Sequence, residues 1–158
     1  MYPCELTQRA TQPTLTIRFT APMQELPRQF GRAYGEIAKY LAMIGEQPAG
    51  MPFALYHNMD MEHLDVEAGF PVGKPLPTKG EIAAGTIAGG TFAICHYTGP
   101  YDKCGPAYDA LHHFIADKGY VTGDVAYEFY LNGPETPPEK LKTDLVFTVT
   151  RVTEPAAP

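Results

Sequence analysis

Serine and tryptophan are absent from this sequence, and cysteine occurs only three times. Without serine no Ser-His-Asp nucleophile can be assembled, and there is no GxSxG elbow to present one. Cys4, Cys95 and Cys104 form no CxxC pair and are odd in number, which fits reduced thiols better than a disulfide framework. A Cys-His pair built from Cys95 or Cys104 with His96 is also disfavoured, because strand alternation points Cys95 and His96 to opposite faces. Basic clusters are missing too. The formal net charge is −6 and Lys and Arg are dispersed, so no direct nucleic-acid partner is expected. No apolar run approaches the length of a bilayer crossing, and the opening Met-Tyr-Pro-Cys-Glu lacks the parts of a secretion signal. A cytoplasmic protein without membrane contact is the default expectation. Neither a metal nor a cofactor is expected: adjacent His112 and His113 project about 100° apart on a helix, and His57 and His63 flank a turn without supporting ligands.

What is present is ordinary globular material, 44% hydrophobic and 19% charged, in a length suited to one domain of 158 residues. Cys4–Arg9 reads as a short strand and Thr14–Phe19 alternates as a second. From Leu26 the apolar positions become Phe30, Ala33, Ile37, Leu41 and Ile44, one face of a helix that opens near Pro27 and closes at Gly45. Strands from Pro52 (PFALYHN) and Leu64 (LDVEAGFPV) follow. The second half repeats this order. Thr91–Tyr97 reads as a strand, and Cys104, Ala107, Tyr108, Leu111, Phe114, Ile115 and Lys118 outline a helix ended by Gly119. Strands from Val125 (VAYEFYLN) and Thr143 (TDLVFTVT) complete it.

The repetition is more than an order of elements. Ala33-Tyr34 matches Ala107-Tyr108, Gly45 matches Gly119, Tyr56 matches Tyr130 and Asn58 matches Asn132, all at an offset of 74 residues. The expected fold is therefore α+β: a tandem duplication of a β-α-β-β unit with antiparallel sheets, two main helices and pseudo-two-fold symmetry. The boundaries read as unit one over about 4–73, a Gly/Pro/Thr/Ala-rich linker over 74–90, unit two over 91–152 and a frayed tail over 153–158. Pairing two such units buries apolar surface and leaves a cleft on the axis, a favoured place for a ligand.

Glu128 is the most informative position. In Ala126-Tyr127-Glu128-Phe129-Tyr130 it shares a strand face with Ala126 and Tyr130, while Val125, Tyr127 and Phe129 point the other way. A carboxylate among such neighbours costs several kcal/mol unless a cation, donor or water compensates it. Either it is an edge glutamate in solvent or paired to a Lys or Arg, or it lines a pocket for a cationic or donor-rich ligand. Ten tyrosines form the second signal, with Tyr56 and Tyr130 the matched pair. Each ring offers its face to a cation and its hydroxyl for one hydrogen bond, or else simply packs in the core. Tyr127, Phe53, Tyr40 and Tyr101 complete the aromatic candidates, and His96 could touch the same pocket.

The segments HYTGPYDKCGPAYDALHHFIADKGY, YEFYLN and PETPPEKLKT resemble the GyrI-like small-molecule-binding domain family, and APMQELPRQFGRAYGEIAKYLA, PFALYHNMD and LDVEAGFPV resemble its first half. The resemblance runs from about Cys4 to Val152. It implies two SH2-like units in tandem, in agreement with the duplication. It also implies an effector-binding role of the kind found in AraC- and MerR-type multidrug regulators and in stand-alone proteins, with a small organic ligand, often cationic and aromatic. The family's ligand-facing glutamate falls on Glu128. Some members hydrolyse cyclopropanoid compounds using that glutamate with aromatic neighbours, a role in which Tyr130 or Tyr56 would orient the substrate here, and one inhibits gyrase by protein contact. A sensor or sequestering module is the leading expectation; a hydrolase using Glu128 as general base and a protein-partner inhibitor are the alternatives, and a homodimer is left open. Many members carry Trp near the second helix where this chain has His113-Phe114, which counts against a mechanism needing an indole. No helix-turn-helix segment is expected ahead of Met1.

Overall fold

Local signals set the two helices as anticipated. In the computed structural model, which describes residues 2–100, 103–133 and 135–152, α1 spans Leu26–Met43 and α2 spans Gly105–Asp117. Each carries proline in its first turn, where a missing N–H costs nothing. Each ends before a glycine in the left-handed region, Gly45 at φ 73° and Gly119 at φ 80°. At the first of these Glu46 N–H donates to the Leu41 carbonyl at 2.8 Å, closing a Schellman turn. Leu26, Ala33, Ile37, Tyr40 and Leu41 form the buried stripe of α1. Ile44, read as part of that stripe, caps the helix and is 39% exposed.

The strands are β1 Cys4–Arg9, β2 Gln12–Ala21, β3 Phe53–Tyr56, β4 Leu64–Pro71, β5 Ala83–Ile87, β6 Gly90–Thr98, β7 Tyr120–Tyr130 and β8 Lys142–Arg151. β7 begins five residues before the strand expected from Val125, because an irregularity between Thr122 and Ala126 lets pairing with β8 continue through it. β5 lies inside the stretch read as linker; its small residues Ala-Ala-Gly-Thr carry little alternating pattern.

The chain divides into two units, one of Ala10–Gly89 and the other of Gly90 onward together with the N-terminal segment through Arg9. This differs from the boundaries expected from sequence. β1 pairs antiparallel with β6, and β2 takes β5 as its edge partner. In the first unit the antiparallel order is β5-β2-β4-β3, with α1 on one face over Leu15, Ile17, Ala68 and Val72. In the second it is β1-β6-β8-β7, with α2 over Ala93, Cys95, Leu145 and Phe147. Each unit is thus an α+β half with one helix on a four-stranded antiparallel sheet, and the same strand order confirms the duplication. Among the described residues no helix is long and apolar enough to cross a membrane.

Candidate functional site

Alternation along β7 decides which side chains meet α2. Ala126 belongs to the core beneath the helix, so Glu128 and Tyr130 project to the same side. Register places Glu128 opposite Leu145 and Tyr130 opposite Thr143 on β8. From above, Ala107, Leu111 and Ile115 of α2 pack down and leave the neighbouring Tyr108 half-buried and directed at β7. Its hydroxyl donates to Glu128 Oε2, and the Tyr130 hydroxyl donates to Glu128 Oε1 at 2.9 Å. Each carboxylate oxygen therefore receives a tyrosine hydroxyl, one from the helix and one from the same strand. Phe147 closes this region from β8, with its ring 6.1 Å from that of Tyr108 at an interplanar angle of 67° and 5.0 Å from His112.

Beside Tyr130, Thr143 is only 2% exposed, and among the described residues its Oγ1 has no hydrogen-bond partner. An unpaired buried hydroxyl of this kind is uncommon and costs free energy.

The other expected residues are distributed elsewhere. Tyr127 is buried on the opposite face of β7, where its ring stacks on Phe129 at 6.4 Å. His96 also lies on that opposite face. Its Nδ1 is 2.7 Å from Asp144 Oδ1 and its Nε2 is 2.6 Å from Glu5 Oε2. Both contacts hold the imidazole pKa above its ordinary value, Glu5 most strongly, against a smaller lowering by burial. An open depression of about 540 Å³ beside it is lined by Tyr2, Pro3, Leu131, Lys142 and Asp144, and not by Glu128. His96 is thus a bridge between β1 and β8 and does not join Glu128.

Tyr56, Phe53 and Tyr40 belong to the first unit. Tyr56 is half-buried on β3, Phe53 is fully buried, and the Phe53 carbonyl accepts from the Tyr34 hydroxyl at 2.9 Å. Tyr40 donates to the Pro77 carbonyl at 2.9 Å, and Lys79 Nζ lies 5.5 Å from its ring centre, an arrangement that ties α1 to the following loop. Tyr101 lies outside the described residues. Tyr108, Thr143 and Phe147 were not among the candidates read from sequence. The match of Tyr108 with Tyr34 was the available signal for the first; nothing local marked the other two. Among the described residues no group of three or more His, Cys, Asp or Glu could hold a metal ion.

Comparison with known proteins agrees with this fold. The chain matches the model of the GyrI-like small molecule binding domain over residues 3–150. No curated protein matches it by sequence. Among solved structures it is similar to EcmrR in its complex with DNA, at 23% identity and TM-score 0.81 over 96% of this chain. It spans 58% of the length of that EcmrR chain, and 99% of the separately solved EcmrR C-terminal domain, with 22% identity and TM-score 0.76. SAV2435 bound to tetraphenylphosphonium shares 16% identity over 94% of both chains, with TM-score 0.65. A hydrolase from Listeria innocua shares 13% identity over 93% of this chain and 91% of its own, with TM-score 0.70.

Proposed function

The chain belongs to the GyrI-like small molecule binding domain family, and from that membership we propose that its Glu128 region takes cationic aromatic molecules, as a sensor or sequestering module. The observation that carries this reading is the pair of hydroxyls, from Tyr108 and Tyr130, donating to the two oxygens of one half-buried carboxylate. They orient the Glu128 carboxylate, and a carboxylate held in this way is a suitable counter-charge for a cationic ligand. The rings of Tyr108, Tyr130 and Phe147 supply apolar and cation-attracting surface around it. The net charge of −6 biases encounter in the same direction. The related SAV2435 was solved with tetraphenylphosphonium, a ligand of this class.

A hydrolase reading uses the same carboxylate as general base on water, and a relative from Listeria innocua is described as a hydrolase. One variant distinguishes the two. Glu128→Gln keeps shape and removes charge. For a binding module, titration with a fluorescent lipophilic cation should show affinity about ten- to a hundredfold weaker, with neutral aromatic ligands nearly unchanged. Turnover of an electrophilic substrate lost about 10²–10⁴-fold while its binding persists would instead establish the hydrolase.

A further inference from the structure

The antiparallel pairing of β1 with β6 sets Cys4 directly opposite Cys95. The N–H of His96 donates to the Pro3 carbonyl at 2.9 Å, so Pro3–His96 is a hydrogen-bonded position of the ladder and Cys4–Cys95, one step along, is a non-hydrogen-bonded one. Opposed Cα atoms at such positions lie about 4.5 Å apart with their side chains at closest approach. A disulfide spans Cα atoms about 4.4–6.8 Å apart, so the pair can close with little backbone movement. Both side chains project to the α2 side of the sheet and both are free thiols, Cys95 fully buried and Cys4 half-buried. The Cys4 thiol donates to the Tyr2 carbonyl at 3.3 Å.

We propose that Cys4 and Cys95 form a reversible disulfide that tethers β1, with Cys4 as the thiol that reacts first with a low-molecular-weight disulfide. In the first step the Cys4 thiolate attacks one sulfur of the external disulfide, its S–S bond breaks and one thiolate leaves. In the second the Cys95 thiol loses its proton to solvent and attacks the Cys4 sulfur, displacing the other thiolate. The protein gives up two electrons and two protons, and the external disulfide becomes two thiols. The division of labour follows the environment: burial first, and the neighbouring Cys4 second, push the Cys95 thiol up to about 12. Cys95 is therefore a poor first nucleophile, and its step depends on proximity and speeds up with pH.

The bridge would act on a specific element. β1 is the edge strand of its unit, paired there with β6, and Cys4 and Leu6 pack beneath α2. Closing it links residues 91 apart in the chain and removes the freedom of β1 to fray. The proposal is independent of what binds at Glu128.

The full chain, reduced and then incubated with oxidised glutathione under native conditions, is quenched with an alkylating agent and mapped by peptide mass spectrometry. The expected product is an intramolecular Cys4–Cys95 cross-link, reversed by dithiothreitol, with Tm raised by about 5 °C or more. Cys104→Ala should retain the cross-link, and Cys4→Ser should abolish it. Disulfides that involve Cys104 or join two molecules, or the absence of any Cys4–Cys95 link at full oxidation, would overturn the proposal on the wild-type chain alone.

Discussion

Tyr108 on α2 and Glu128 on β7 are joined directly, hydroxyl to carboxylate, 20 residues apart in the chain. The matched position in the first unit shows what this contact depends on. Tyr34 occupies the equivalent place on α1, but the residue 74 positions before Glu128 is Ala54, and Tyr34 donates to the main-chain carbonyl of Phe53 instead. Duplication supplied two tyrosines aimed at a sheet, and in the second unit the matched position on the strand is a carboxylate. The contact is specific to that unit, which makes it separable by mutation.

Tyr108→Phe removes one donor from Glu128 and leaves the ring in place. Affinity for a lipophilic cation should fall about 2- to 10-fold, since a hydrogen bond of this type contributes roughly 0.5–1.5 kcal/mol. Tyr34→Phe, the matched control, should leave affinity unchanged and lower stability by about 1 kcal/mol. Equal effects of the two substitutions on isothermal titration would show that Tyr108 acts only through packing.

Thr143→Val replaces a buried hydroxyl that has no partner among the described residues. Because no hydrogen bond is lost and an unpaired polar atom is removed, urea denaturation should show stability unchanged or raised by up to about 1 kcal/mol. A satisfied buried threonine would cost about 1 kcal/mol or more in the same test.

His96 ties stability to pH. Both ring nitrogens face carboxylate oxygens, at 2.6 Å to Glu5 and 2.7 Å to Asp144, and only the doubly protonated imidazole can donate to both. Its folded pKa is raised, so the protonated form is favoured by folding. The contribution is present in full below the unfolded value of about 6.5 and is lost as pH rises through the higher folded value. Lys142 lines the same depression. Wild type should exceed His96→Gln in stability most below about pH 6.5, and the gap should narrow as pH rises above that value. The effect is modest, because His96 is 43% exposed and screened. A gap that stays constant across this range would rule out the bridge.

Much of the fold was readable because its signals are short-range. The stripes of α1 and α2, their proline starts and the glycines at 45 and 119 all act within one or two helical turns. The same holds for the pairing of Glu128 with Tyr130: alternation alone puts residues two apart on one face, and their hydroxyl–carboxylate contact at 2.9 Å is a consequence of that spacing. Alternation likewise put Tyr127 and Phe129 on the far side of β7, so Tyr127 could be a neighbour of Glu128 in sequence without sharing its face.

What the sequence by itself determined about this protein is therefore its repeating pattern: the period of each element, the caps, the duplicated tyrosines and the placement of one carboxylate among aromatic neighbours. Tertiary structure alone decided partnership. β1 reads as the first strand of the first unit, yet it pairs with β6, and β5 emerges from a stretch with no alternation of its own. The meeting of Tyr108 with Glu128, the clamp of His96 between Glu5 and Asp144, and the opposition of Cys4 and Cys95 all follow from such pairings. Periodicity records which way a side chain points along its own element. The choice of facing element rests on register and buried area summed over residues far apart in the chain, and no local window contains that sum.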